Sequence, residues 1–142
     1  MDNPGVVPLL YKGSAFLISS LGAGIFIGDV ADGLDGMLAA SIEIDFAWGS
    51  GGTSCTAYIQ TSLDKGQTWI DIAAVAFTTA SGIKIINLSG LTSQTTPLTP
   101  SQQQLTAGTC VDGILGDRLR AVAVVVGTYG SSTLLSIMVN AR

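Results

Sequence analysis

The most regular pattern in the chain is an alternation of apolar and polar residues over 37–48. A period of two places successive side chains on opposite faces of an extended strand and is typical of a half-buried β-strand. We therefore predict a strand over 37–48 whose apolar face lies against the core. The apolar set is Ile42, Ile44, Phe46 and Trp48, and the polar set is Ser41, Glu43 and Asp45.

Other short apolar segments are rich in β-branched residues, and helical periodicity is nearly absent. We expect 118–126 and 133–140 to pair as a hairpin, with 121–126 apolar on both faces as in a central strand. Seven or eight short strands joined by Gly/Ser/Thr turns predict an all-β fold, an antiparallel β-sandwich. Besides 37–48, the predicted strands are 13–20, 23–30, 55–61, 68–77, 83–88, 118–126 and 133–140.

The first twelve residues differ from the rest because they contain two prolines, Pro4 and Pro8. Proline favours extended backbone and resists both a helix and a central strand. We therefore predict an extended N-terminal arm over 1–12 and a single β-sandwich domain over 13–142. The arm is expected to bury its apolar residues on a neighbouring subunit. These candidate interface residues are Val6, Val7, Leu9, Leu10 and Tyr11.

Residues 89–109 form an uncharged polar segment near the middle of the chain. They include Pro97, Pro100 and four glutamines, without the alternation of a strand. Loops of this length are usually functional or mobile. We predict a long polar loop, or protruding tongue, near 89–109.

The composition excludes several classes of function. Only 11% of the residues are charged, against about 25% in an average soluble domain, and the net charge is −4 without a basic run. We therefore expect no nucleic-acid binding. The chain contains no histidine, and Glu43 is its sole glutamate, so the usual general bases and metal ligands are missing. We expect no enzymatic activity and no cofactor or metal.

The segment between Lys12 and Asp29 is uncharged, but glycines and serines interrupt it throughout. A membrane-spanning helix needs about 20 predominantly apolar residues. A signal peptide begins with positive charge, whereas this chain begins with Met1 and Asp2. We expect a soluble protein without a membrane partner.

The two cysteines, Cys55 and Cys110, are too few for a zinc site in a chain without histidine. Both lie in an otherwise ordinary apolar background. Two buried thiols are favoured over a disulfide between them, which stays open as the alternative.

The turn between the predicted strands 55–61 and 68–77 has the sequence SLDKGQTW. It resembles the Asp-box hairpin of sialidase-type propellers. The resemblance implies a structural turn in which hydroxyls and a carboxylate bind turn amides and an aromatic ring packs beneath. Sialidase activity is not expected, because the chain has one copy of the motif and one glutamate. The matching residues are Ser62, Asp64, Gly66, Thr68 and Trp69.

A wider resemblance covers roughly residues 40–142. The segment QTSLDKGQTWIDIAAVAF, a threonine-rich interval and then DRLRAVAVVVGT and LLSIMVNAR resemble small all-β structural proteins of tailed bacteriophages. The resemblance implies a virion protein assembled in the host bacterial cytoplasm. A capsid decoration or cement protein that bridges capsid subunits is the first expectation, and a head–tail connector, neck or tail protein is the alternative. The implied partners are the major capsid protein, other virion proteins and further copies of this chain.

An acidic, glycine-rich stretch follows the second predicted strand. Asp29, Asp32 and Asp35 alternate with glycines and offer oxygen ligands of the kind that calcium prefers. Their spacing does not match an EF-hand loop. A solvated turn is therefore favoured over a calcium site.

Three aromatic residues, Trp48, Tyr58 and Trp69, define a function of another class. Exposed on one surface, they would form a stacking platform for sugar rings, as in a carbohydrate-binding β-sandwich module. Large aromatic side chains more often bury their area in a core. Core packing is favoured for both tryptophans.

Arg118 and Arg120 stand at the start of the most apolar predicted strand. One interpretation is a pair of edge charges with Asp112 or Asp117 as partners. The other is subunit contact, because arginine is enriched at interfaces and pairs with carboxylates in bidentate geometry. The sequence does not separate these interpretations.

Overall fold

The protein is described by a computed structural model that covers residues 5–10, 16–18 and 22–142. The predicted all-β class is confirmed: these residues form twelve strands, arranged in two five-stranded antiparallel sheets and one two-stranded ribbon. The described part of the chain contains no helix long and apolar enough to cross a membrane.

The first sheet contains the first and last strands of the chain together with two strands from its middle. Its order is β1-β12-β4-β8, and β2 pairs with the same edge of β12 as an extension of β1. The strands are β1 (Gly5–Leu10), β2 (Phe16–Leu17), β4 (Ala39–Ala47), β8 (Gly82–Ser89) and β12 (Leu134–Ala141).

The second sheet has the order β3-β10-β6-β7-β9. The central position predicted for 121–126 is confirmed, because this strand pairs with neighbours on both sides. The strands are β3 (Gly24–Ile27), β6 (Ser54–Ser62), β7 (Ile70–Phe77), β9 (Thr109–Cys110) and β10 (Arg118–Val126).

The hairpin predicted between 118–126 and 133–140 is wrong. β10 lies in the second sheet and β12 in the first, so the chain crosses between sheets instead of folding back on itself. The chain also crosses between β4 and β6, and the two crossings pair as the ribbon of β5 (Ser50–Gly51) and β11 (Tyr129–Gly130). Close packing here requires glycine, since a Cβ at Gly49 would collide with the backbone of Ser131.

The hydrophobic core draws buried side chains from both sheets. Phe46 of the first sheet stacks on Phe77 of the second with ring centroids 4.9 Å apart, and Tyr129 packs edge-on against Phe46 at 5.6 Å. Ile42, Ile44 and Phe46 are fully buried, as the alternation predicts.

Trp48 departs from that prediction. It follows the end of β4 and remains 37% exposed, with its indole Nε1–H donating to the Gly51 carbonyl at 3.0 Å. The chain turns into the crossing before Trp48 reaches the core face, so core packing is wrong for this residue.

The prediction of a free arm is wrong for residues 5–10. They form β1, whose backbone pairs with β12 from Gly5 opposite Ala141 to Leu10 opposite Ile137. Leu9 and Leu10 are buried in the chain's own core, while Val6 is 65% exposed. Pro8 is tolerated because β1 is an edge strand and one of its sides needs no donor. Tyr11 lies outside the described residues.

The two cysteines differ in exposure and are both free thiols. Burial of both is right for Cys55 and wrong for Cys110, which lies exposed on the short edge strand β9. Burial raises the pKa of the Cys55 thiol to about 12, and partial desolvation together with Asp112 raises the pKa of Cys110.

A thiol reagent is therefore expected to modify one cysteine per native chain and two per unfolded chain. Reaction with Ellman's reagent before and after addition of denaturant measures this count, and Cys110→Ser should remove the native reaction. If both thiols of the native parent chain reacted at equal rates, the burial of Cys55 would be contradicted.

Candidate functional site

The turn between β6 and β7 is held by its own side chains. The Ser62 hydroxyl accepts from the Gly66 N–H at 2.8 Å and donates to Asp64 Oδ1 at 2.9 Å. The same carboxylate oxygen accepts from the Thr68 N–H at 2.7 Å. Gly66 has a φ of +90°, which a residue with a Cβ adopts at a cost. These hydrogen bonds fix the backbone conformation of the turn over residues 62–68.

These hydrogen bonds lower the pKa of Asp64, with the Thr68 backbone N–H as the largest cause. A carboxyl group whose pKa is lower in the folded state stabilises that state above its unfolded pKa, here 3.8. This stabilisation is lost as the pH falls through the lower, folded-state value.

We expect the melting temperature of the protein to fall on acidification below about pH 4, and to fall less steeply in Asp64→Asn than in the parent chain. Thermal unfolding followed at several pH values between 2 and 6 measures both slopes. Asp35→Asn is the matched control. Parallel curves for the parent and Asp64→Asn would contradict the role given to the turn hydrogen bonds.

Trp69 lies beneath this turn and is only 7% exposed. A Cβ at Gly66 would lie 3.7 Å from its ring, and the Arg120 guanidinium carbon stands 4.2 Å from the ring centroid. A cation over an indole face is attracted by the ring quadrupole. Trp69 therefore links the turn to the outer face of the second sheet, where β10 carries Arg120.

Asp71 is the most heavily bonded carboxylate of that face. It is 2% exposed, accepts from the Gln60 side-chain amide at 2.7 Å, and accepts from the backbone N–H groups of residues 103, 104 and 105 at 3.1, 2.9 and 3.2 Å. A buried carboxylate needs such donors to offset its desolvation. Asp71 thus fixes residues 103–105 of the long loop onto β7.

A β-bulge is responsible for the position of Asp71. β6 and β7 pair with Ile59 opposite Ala73 but Gln60 opposite Asp71, so that Ile72 is an extra residue. Ile72 is fully buried in the core. In an undisturbed register it would stand opposite Gln60, and Asp71 would face the core instead.

Gln60 connects Asp71 to Arg120. Its Oε1 accepts from Arg120 Nε at 2.8 Å, and Arg120 Nη2 donates to Gln102 Oε1 at 3.4 Å. The result is a clamp, defined here as Gln60, Trp69, Asp71, Arg120 and Gln102. The hydrogen bonds of the clamp join residues 102–105 of the loop to β6, β7 and β10.

A second carboxylate fixes the other end of the loop. Asp112 accepts from the Ser89 N–H at 2.6 Å and from the Thr92 hydroxyl at 2.9 Å, and its carbonyl accepts from the Gln94 side-chain amide. The bonds from Ser89 and Thr92 to its carboxylate lower the pKa of Asp112, the Ser89 N–H most strongly. Asp112 is therefore a loop anchor and not a partner of the arginines.

Between its two anchors the loop is exposed at every residue from 91 to 100, and this segment is called the tongue. It borders a cleft of about 660 Å³ that no charged residue lines. Leu91 and Leu98 of the tongue and Leu63 of the turn line the cleft and are 74%, 43% and 63% exposed. The tongue is therefore an uncharged, partly apolar surface with both ends held in place.

Arg118 and Arg120, which the sequence analysis considered together, have different partners in the structure. Arg118 Nε lies 3.5 Å from Asp117 Oδ2, which matches the edge-charge interpretation with Asp117. Arg120 is engaged in the clamp and half-buried. A role for either side chain in subunit contact stays a prediction.

Two other candidate sites are not assembled. In the described residues, no three carboxylate or thiol side chains come together as a cluster, so Asp29, Asp32 and Asp35 are not gathered as a set of three ligands. Trp48 lies beside Gly51, before β6 begins, whereas Trp69 lies after β6 ends. The two tryptophans are therefore at opposite ends of β6 and do not form one platform.

The clamp residues Gln60 and Asp71 were not singled out from the sequence. One signal was available: Asp71 is a charged residue within the apolar run Trp-Ile-Asp-Ile. A charge in a buried strand requires a partner. Nothing local reveals that the partners come from residues 103–105.

Comparison of the chain with models of protein families, with curated proteins and with solved structures gave no match. The functional argument therefore rests on the residues and geometry of this chain.

Proposed function

We propose that this protein is a structural component of a bacteriophage virion, a decoration or cement protein of the capsid. We also propose that its two sheets pack face to face as a β-sandwich, with Phe46 and Phe77 in contact across the interior. In this role the protein acts by covering and bridging capsid subunits, and it performs no chemistry on a substrate.

The observation that carries the proposal is the exposure of large apolar residues on the outer faces of both sheets. Ile25 and Ile27 of β3 are each 59% exposed, and Ile83 and Ile85 of β8 are 56% and 74% exposed. Exposed apolar residues gathered on a face mark a surface that a partner covers. Two such faces on one small domain suit a subunit placed between neighbours.

The tongue supports the same proposal. An interface needs surfaces whose conformation is fixed before contact, because ordering a loop on binding weakens the affinity. The anchors Asp71 and Asp112 hold the tongue in this way, and its lack of charge lets it be buried without unpaired ions.

The proposal is tested by counting copies of the chain in purified particles. Phage particles from a host that carries this sequence are analysed by quantitative mass spectrometry against the major capsid protein. Hundreds of copies per particle support a decoration protein, whereas a ring of about six to twelve copies indicates the neck or connector. Absence of the chain from infectious particles would refute a virion role.

A further inference from the structure

The outer face of the first sheet combines apolar side chains with two carboxylates. In one row across the sheet, Pro8 lies opposite Met138, Met138 opposite Glu43, and Glu43 opposite Ile85. In the next row Asp45 lies opposite Ile83. Val6 of β1 completes the apolar border and is 65% exposed. This surface is called the acidic face, defined by Val6, Pro8, Glu43, Asp45, Ile83, Ile85 and Met138.

Within the described chain, neither the Glu43 nor the Asp45 side chain has a hydrogen bond or an ion pair. Lys84 lies between Ile83 and Ile85 in the sequence. It pairs with Ile44, however, so its side chain starts from the opposite, core-side face of β8. The residues that define the acidic face therefore carry two negative charges, two residues apart on one strand, and no positive charge. Arg142 continues the same side of β12 beyond Asn140; it lies opposite Ala39, four residues along β4 from Glu43.

A hollow of about 270 Å³ lies beside Glu43 on this face. Its lining includes Val6, Ile85, Met138, Ser41 and Asn140. The hollow thus presents apolar walls with one carboxylate, and polar groups at one end. An arginine side chain has the matching parts: an aliphatic stem that packs on apolar walls and a planar guanidinium that binds a carboxylate.

We propose that the acidic face docks a partner protein that inserts an arginine from an apolar surface into the hollow beside Glu43. Charge complementarity selects this occupant, because a partner that covers the isoleucines with an apolar surface also removes water from the two carboxylates and must offer them a cation.

This inference deepens the proposed virion role by specifying the chemistry of the partner, and it rests on that proposal for the partner's identity only. The binding chemistry is tested on the isolated chain. The probes are the peptides acetyl-Leu-Arg-Leu-amide and acetyl-Leu-Gln-Leu-amide, titrated into ¹⁵N-labelled protein and followed by two-dimensional NMR.

We expect the arginine peptide to produce saturable shifts centred on the amides of Glu43, Ile85 and Met138, and the glutamine peptide to bind at least about five-fold more weakly. Glu43→Gln should weaken the arginine peptide by about the same factor, the ratio that ~1 kcal/mol represents. Asp35→Asn, which removes an equal charge from an exposed loop outside the face, should leave the titration unchanged.

Equal binding of the two peptides, no saturable shift on this face, or an unchanged affinity in Glu43→Gln would overturn the inference. The spectrum of unliganded Glu43→Gln shows whether the variant is folded, and Glu43→Asp provides a folded variant that retains the charge. The copy-number experiment is independent of these titrations. A chain that is absent from particles but binds the arginine peptide would refute the virion role and leave the docking chemistry intact.

Discussion

Replacing Trp69 with alanine is expected to remove about 3–5 kcal/mol from the free energy of unfolding, the range for deleting a buried large aromatic side chain. Trp69 is 7% exposed, packs under Gly66 and carries the Arg120 guanidinium on its ring. A domain of this kind has about 5–15 kcal/mol of stability in total. The loss is therefore a large share of the total, and the midpoint of unfolding in urea should fall in proportion.

Urea unfolding followed by circular dichroism measures this loss. Gln67→Ala is the matched control, because Gln67 lies in the same turn but is exposed, and it should stay within about 0.5 kcal/mol of the parent chain. Trp69→Phe should recover part of the loss by refilling the space. A Trp69→Ala variant as stable as Gln67→Ala would show that the indole does not support the turn.

Replacing Asp71 with alanine is expected to detach residues 103–105 from β7 and to cost about 1–3 kcal/mol, the range for a buried donor that loses its acceptor. The Gln60 amide and three backbone N–H groups would lose their acceptor together. Each buried donor left without an acceptor costs about 1–3 kcal/mol unless water reaches it. Water does reach a released loop, so the loop is expected to move rather than the sheet to unfold.

Hydrogen exchange of the amides of residues 103–105 measures the release directly. These amides should be protected in the parent chain and exchange fast in Asp71→Ala. Asp112→Ala is the matched control, because it removes the other anchor and should expose the amide of Ser89 while leaving 103–105 protected. Persistent protection of 103–105 in Asp71→Ala would show that the clamp does not hold the loop.

Local patterns in the sequence predicted the parts of this protein that depend on neighbouring residues only. The alternation over 37–48 placed Ile42, Ile44 and Phe46 in the core, because side-chain direction in a strand has a period of two. The turn at 62–69 was equally accessible, since its donors and acceptors lie within a few residues of one another. The all-β class followed from the same local signals.

Long-range contacts decided the rest. Whether β12 folds back on β10 or crosses to the other sheet depends on which partner strand is available, and the sequence between them does not encode that choice. Residues 5–10 have the composition that predicts an extended arm. In the structure they pair instead with an edge of β12 in the same chain. Trp48 continued the alternation of its strand, but the strand ended before it.

The clamp shows the same division most clearly. The sequence by itself determined that a charged residue, Asp71, sits in an apolar strand beside a hairpin turn. Only the tertiary structure determined which way Asp71 faces, because one extra residue at the bulge reverses the side-chain direction along β7. Its donors come from a loop about thirty residues further along the chain, and a pairing at that distance is set by how the sheets pack, which no local pattern specifies.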